Sequence, residues 1–123
     1  METARVLIVD DLPFMRTVLR DALKQGGFSV AGEAVNGLDG LRAYLRLKPD
    51  AVLLDIAMPV MDGITALKKL VERDPTATVV MCSALGEQEM IIRAIRLGAR
   101  DFIVKPFAPE RVISALRMAL RLG

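Results

Sequence analysis

Three aspartates, a serine and a lysine stand at the ends of short apolar runs in this chain. Asp10 and Asp11 follow Val6-Leu7-Ile8-Val9, and Asp55 follows Ala51-Val52-Leu53-Leu54. Ser83 closes the run Val79-Val80-Met81-Cys82, and Lys105 follows Phe102-Ile103-Val104. If these runs are neighbouring parallel strands, their carboxyl ends gather three carboxylates, a hydroxyl and an ammonium in one crevice. Open α/β sheets bind their ligands at that edge. Three carboxylates brought together repel, and at least one pKa rises unless a cation neutralises them. A hard divalent ion such as Mg²⁺ meets that need with carboxylate oxygens, a backbone carbonyl and retained waters. Lys105 counters the same charge from the far side, and the Ser83 hydroxyl and Ala84 N–H can address an anion. A metal, a cation and a hydroxyl around one carboxylate suit a transferred phosphoryl group, where positioning and charge neutralisation do most of the work.

The elements that must hold these groups follow from the apolar pattern. Strands are expected at 5–9, 29–33, 51–54, 78–82 and 102–104. The first, third and fourth are continuously apolar, as parallel strands covered on both faces are. The second alternates and contains Gly32 and Glu33, which marks a sheet edge. Between the strands the period is helical. Phe14, Val18 and Ala22 recur every four residues, as do Met15, Leu19 and Leu23, until Gly26-Gly27 stops the helix. Asn36 caps a second helix carrying Leu38, Leu41 and Leu45, which ends before Lys48-Pro49. Asp62 caps a third with Ile64, Leu67, Leu70 and Val71, ending before Pro75. The fourth uses Met90, Ile91, Ala94 and Ile95 and stops at Gly98, and Pro109 opens the fifth, which carries Val112, Leu116 and Leu120.

Five βα units in succession imply right-handed crossovers and a parallel sheet with helices on both faces. The expectation is one α/β domain over 1–123, a doubly wound five-stranded parallel sheet in the flavodoxin-like order 2-1-3-4-5 with five helices. In that order the first and third strands are neighbours, so Asp10, Asp11 and Asp55 converge. Pro106 makes the one X-Pro bond expected to be cis, beside Lys105.

Totals narrow the function classes. At 123 residues with 53% apolar residues, the chain is long enough for one buried core and too short for two ordinary domains. Net charge is only +2 and the basic residues are scattered, which argues against a nucleic-acid partner. Its apolar stretches fall far short of a membrane span, and a single cysteine, Cys82, fits a reducing compartment; a cytoplasmic protein is expected. There is no histidine, which excludes a Ser/His/Asp triad and histidine metal sites, and puts any phosphohistidine on a partner. A G-x-G-x-x-G or G-K-[ST] loop is missing after the first strand, so the usual nucleotide-binding loops are absent.

The chain resembles the receiver domain of two-component response regulators over essentially its full length. The matching segments are Val9-Asp10-Asp11 with Arg16 beyond, Asp55-Ile56-Ala57-Met58-Pro59-Val60-Met61-Asp62-Gly63, Ser83-Ala84, and Lys105-Pro106-Phe107. Within receivers it is most similar to stand-alone chemotaxis regulators of the CheY type, chiefly through the segment from Gly98 to Phe107. The resemblance implies that Asp55 accepts a phosphoryl group from a phosphohistidine on a sensor histidine kinase. It assigns Mg²⁺ to Asp10, Asp11, Asp55 and the backbone carbonyl of Ala57, and the phosphoryl oxygens to Lys105 and Ser83. It makes Phe102 the aromatic switch, and implies a signalling protein that assists its own phosphotransfer and dephosphorylation. A flagellar motor switch protein and a phosphatase become the expected partners, and a monomer is the family default.

Two departures carry consequences. Phe102 stands where tyrosine is common, so the switch rotates without a hydroxyl. Ala57 and Leu85, each two residues beyond a site residue, are apolar where receivers influence attack by water, and a long-lived phosphoaspartate is expected. The output surface is expected on the fourth helix, fifth strand and fifth helix, with Met90 and Ile91 helping to form a partner groove and Phe102 and Val104 counted among the switch and output residues. Arg111, Ser114 and Met118 line one side of the fifth helix, near Arg117 and Arg121. Alternatives are a receiver of another pathway or phosphorelay, or the receiver of a larger regulator. An aspartate-nucleophile phosphatase is disfavoured, because its second aspartate is Ala57 here.

Overall fold

The structure, a computed structural model, describes residues 3–122. Its elements alternate without exception: β1 Arg5–Val9, α1 Pro13–Gln25, β2 Ser29–Ala34, α2 Gly37–Leu47, β3 Ala51–Asp55, α3 Gly63–Arg73, β4 Val79–Ser83, α4 Gln88–Leu97, β5 Asp101–Val104 and α5 Pro109–Ala119. All pairings are parallel and the strand order is 2-1-3-4-5, with β2 at one edge as its composition predicts. Strand limits differ from expectation by a residue or so, and β3 and β4 run on to include Asp55 and Ser83 themselves. No helix among the described residues is long and apolar enough to cross a membrane.

The unbroken apolar strands are explained by two separate cores. Leu7, Val9, Val52, Leu54, Val79 and Met81 face one cluster, shared with α2, α3 and Ala94 of α4. Their alternate neighbours Val6, Ile8, Leu53, Val80, Cys82 and Ile103 face the other, under α1 and α5. Both faces of a central strand are therefore dry, and alternation disappears from the sequence. The Cys82 thiol lies in the second core, where burial pushes its pKa up to about 12.

The expected caps form. Asn36 Oδ1 accepts from the Asp39 N–H at 2.8 Å, and Asp62 Oδ1 accepts from the Thr65 N–H at 2.8 Å. Pro109 occupies the first turn of α5, and Lys105-Pro106 is cis. Three apolar residues that belong to the helical periods face outward. Phe14 is 77% exposed, and Leu45 and Ile95 are also exposed. The reason is geometric: a four-residue step advances about 400°, so each repeat drifts about 40° around the helix. In α1 the buried face is Leu19, Ala22 and Leu23, and Phe14 has drifted off it. In α2 that face is built from Gly37, Gly40, Ala43 and Tyr44. Gly40 lets the helix approach so closely that a Cβ there would sit 2.8 Å from Val9 Cγ1.

Candidate functional site

The carboxyl ends of β1, β3, β4 and β5 deliver the expected residues to one edge. Asp10 follows β1 and is completely buried, Asp55 ends β3 at 6% exposure, and Asp11 is half-buried. One oxygen from each of the three lies within 4.8 Å of the others, a set that could hold a metal ion. Lys105 Nζ reaches across and donates to Asp10 Oδ2 and Asp55 Oδ1, each at 3.1 Å. Backbone donors add to these: Leu12 N–H donates to the other Asp10 oxygen, Oδ1, and Ile56 N–H donates to Asp55 Oδ1, the same oxygen that accepts from Lys105, both at 2.9 Å.

Electrostatics make this a site rather than a solvated strand end. Burial pushes the Asp55 pKa up to about 6; Lys105 opposes the rise, Asp10 adds to it, and the Lys105 and Ile56 hydrogen bonds oppose it. For Lys105, burial alone would lower the pKa, but Asp55 and Asp10 together hold it above its ordinary value. The crevice is thus three acids against one lysine in a partly dry place, and a second cation would relieve it. Hard carboxylate oxygens suit Mg²⁺.

Other residues are placed less directly. Ser83 is fully buried, and its hydroxyl donates to the Ile103 carbonyl at 3.5 Å, the long limit of such a bond. The Ala84 N–H does not address the crevice. It donates to Glu87 Oε1, because Gly86 at φ +91° turns the chain back and brings the carboxylate under the amide. Ala57 is exposed, as is Leu85. Phe102 and Val104 line an apolar groove of about 520 Å³ with Ile91, Ile92 and Ile95 of α4. Met90 is not in that groove. It points about 100° away from Ile91 on the helix and lines a smaller pocket with Ala57 and Glu87.

Two supports could not be placed by motif position alone. Arg16 Nη1 donates to the Asp10 carbonyl at 2.9 Å, while its Nε pairs with Glu33 at 3.3 Å. Arg20 joins the same Glu33 at 2.8 Å, tying α1 to β2 behind the crevice. Gly63 is the other: its N–H donates to the Ile56 carbonyl at 2.7 Å, pressing the start of α3 against the end of β3.

A five-stranded 2-1-3-4-5 sheet with an acidic trio and a lysine at its carboxyl edge defines a receiver. The family model for the response regulator receiver domain matches residues 6–117, and the chain belongs to that family. The chemotaxis protein CheY of Thermotoga maritima is 54% identical over 112 residues, covering 91% of this chain and 93% of that protein. The chemotaxis protein CheY of Bacillus subtilis is 51% identical over 116 residues, covering 94% and 97%. Among solved structures, the CheX–CheY–BeF3–Mg²⁺ complex from Borrelia burgdorferi matches with a TM-score of 0.89 and 37% identity, covering 94% of this chain and 87% of that one.

Proposed function

We propose that this chain is a phospho-accepting response regulator of chemotaxis, with Asp55 taking a phosphoryl group from a phosphohistidine of a sensor kinase. The observation that carries this reading is the position of Asp55, gripped by Lys105 beside Asp10 and Asp11 at the open edge of the sheet. In the transfer an Asp55 carboxylate oxygen attacks phosphorus, the P–N bond breaks, and the imidazole leaves with the electron pair. The donor histidine belongs to the partner, since this chain has none. Asp10, Asp11, Asp55 and the Ala57 carbonyl would hold Mg²⁺, which when bound supplies positive charge against the phosphoryl oxygens. Lys105 supplies the protein's own cation to the same oxygens.

Transfer adds roughly −1.5 to −2 charge beside Lys105 and Ser83. Ser83 exchanges its long bond to the Ile103 carbonyl for a charged acceptor, and Phe102 moves into the space vacated behind it. The Ala84 N–H leaves Glu87 for the same anion. The groove formed by Ile91, Ile92, Ile95, Phe102 and Val104 is then the surface a flagellar motor switch protein reads, and it supports this role by being almost wholly apolar at the surface. The name and chemotaxis setting of the two CheY relatives support the same output, and a phosphatase is a further partner. The reaction takes place in the cytoplasm on a monomer.

Incubation with acetyl phosphate and Mg²⁺ tests the reading by mass spectrometry. The wild type is expected to gain one phosphoryl group and to keep it for minutes after the donor is removed, because apolar Ala57 and Leu85 do not orient water. Absence of any gain would refute the acceptor role; loss within seconds would refute the slow hydrolysis. Protons also compete with the metal at Asp55, whose folded pKa is about 6. Apparent Mg²⁺ affinity is therefore expected to fall about tenfold between pH 7 and pH 5. Calorimetric titration at the two pH values checks this, and a pH-independent affinity would contradict it.

A further inference from the structure

The basic residues form no run in sequence, yet the fold collects four of them in one place. Lys68 and Lys69 of α3 face Arg93 and Arg96 of α4 across a cleft of about 470 Å³. Glu72 is the one acid lining it. The cleft therefore carries a net +3, more than the +2 of the entire chain. We propose that it is a binding site for a small polyanion bearing two or more linked phosphates.

The state of these side chains supports the assignment. Among the described residues, none of the four cations makes a side-chain hydrogen bond or an ion pair. Among the described residues several arginines are engaged: Arg5 with the Leu47 carbonyl, Arg16 and Arg20 with Glu33, Arg100 with the Ala119 carbonyl and Arg111 with the Phe102 carbonyl. Arg42, Arg46, Arg73 and Arg121 are as open as the cleft pair; what sets the four cations apart is that the fold lines one cleft with them. Arg93 and Arg96 are three apart on one helix, and like charges at that spacing repel. An anion between the two helices relieves that repulsion and meets the lysines of the facing wall.

Chemistry selects phosphate. Two guanidinium forks match phosphate oxygens in bidentate fashion, and two lysines add compact point charges. The volume is in the range of small-ligand pockets, roughly 300–1,000 Å³. Ile64 and Leu97 add apolar surface to the lining, enough to receive a ring or alkyl body attached to the phosphates. The Thr65 hydroxyl is already committed to Asp62 Oδ2 at 3.3 Å, so recognition falls to the cations. Linked phosphates of this kind occur as inorganic polyphosphate or as a nucleoside polyphosphate. The cleft is separate from the aspartate crevice, whose acids repel such a ligand when no divalent ion is present.

The full chain is titrated in EDTA at low salt with inorganic triphosphate and, separately, with ATP, and amide shifts are followed by NMR. Shifts centred on Lys68, Lys69, Arg93 and Arg96 are expected for at least one compound. A tighter fit for ATP assigns the apolar surface to a nucleoside; equal affinity assigns the site to inorganic polyphosphate. The double variant Lys68→Ala/Arg93→Ala, one residue from each wall, is expected to weaken binding about tenfold or more. Arg42→Ala/Arg46→Ala on α2 removes the same charge elsewhere and is expected to change it less than about twofold. Well-dispersed spectra establish that both variants are folded. Equal losses in the two double variants would reduce the effect to net charge and overturn the proposal. So would an absence of shifts with either phosphate compound. Binding of a poly-glutamate peptide in the cleft where neither phosphate binds would also overturn it, making the cleft a dock for an acidic protein segment.

Discussion

Replacing Asp55 with asparagine is expected to abolish phosphoryl incorporation and, in the absence of divalent ions, to make the protein more stable at pH 8. The first effect follows because an amide oxygen is a far weaker nucleophile than the carboxylate it replaces. The second follows from linkage. The carboxyl pKa is 3.8 in its ordinary setting and about 6 in the fold. Between those values the folded state binds more protons than the unfolded one, so stability falls as pH rises through that window. Above pH 6 the ionised Asp55 costs the fold about 3 kcal/mol. Asparagine carries no charge and removes that cost, but it weakens the bond from Lys105 Nζ. The net gain is expected to be about 1–3 kcal/mol at pH 8, shrinking toward pH 4 where the wild-type carboxyl is neutral.

Urea unfolding of both proteins at pH 4.5 and pH 8 measures this directly. A variant less stable than wild type at pH 8 would mean that the ion pair to Lys105 outweighs the repulsion and burial. Added Mg²⁺ is expected to close the gap from the wild-type side, because on the proposed reading it would bind the folded trio and would have one fewer carboxylate to bind in the variant. Asp55 is thus held at a charge density that works against folding, and under the proposed function the same density would recruit the cation that transfer requires.

The crevice was legible in the sequence because its residues are tied to strand ends, and strand ends are marked by where apolar runs stop. A parallel order then brings Asp10, Asp55, Ser83 and Lys105 to one edge with no further information. The caps at Asn36 and Asp62 were legible for a similarly local reason, a side chain reaching an amide three residues on. What lay beyond reach depended on rotation about helices or on pairs from different elements. Phe14, Leu45 and Ile95 satisfy a helical period yet face outward, since the period tolerates a drift that burial does not. Met90 and Ile91 are adjacent in sequence but line different pockets. The cationic cleft needs two helices side by side, so residues 68, 69, 93 and 96 look scattered until α3 and α4 pack. Glu87 could not be foreseen as the partner of the Ala84 amide, because the turn at Gly86 brings them together.

Gly63 shows how a local rule reverses its sign once the packing is known. It occupies the first turn of α3, and by helix propensity a change to alanine there would stabilise by about 0.5–1 kcal/mol. A Cβ at this position, however, would lie 1.9 Å from the Asp55 carbonyl oxygen, 2.8 Å from its carbonyl carbon and 2.9 Å from Ile56 Cα. All three are backbone atoms, so no side-chain rotation makes room. Either α3 withdraws, breaking the 2.7 Å bond from the Gly63 N–H to the Ile56 carbonyl, or the end of β3 shifts and takes Asp55 with it. Gly63→Ala is therefore expected to destabilise by about 3 kcal/mol or more, at or beyond the upper end for overpacking. A variant that still folds is expected to bind Mg²⁺ more weakly, since Asp55 no longer faces Asp10 and Asp11 at the same separation. Gly27→Ala is the comparison: nothing lies within 4 Å of a Cβ there, and only its φ of +79° resists substitution. That left-handed strain amounts to about 1–2 kcal/mol and leaves the crevice untouched. Denaturant unfolding and Mg²⁺ titration of both variants separate the two cases. A Gly63→Ala protein within about 1 kcal/mol of wild type, with unchanged Mg²⁺ affinity, would show that α3 can retreat from β3 without moving Asp55.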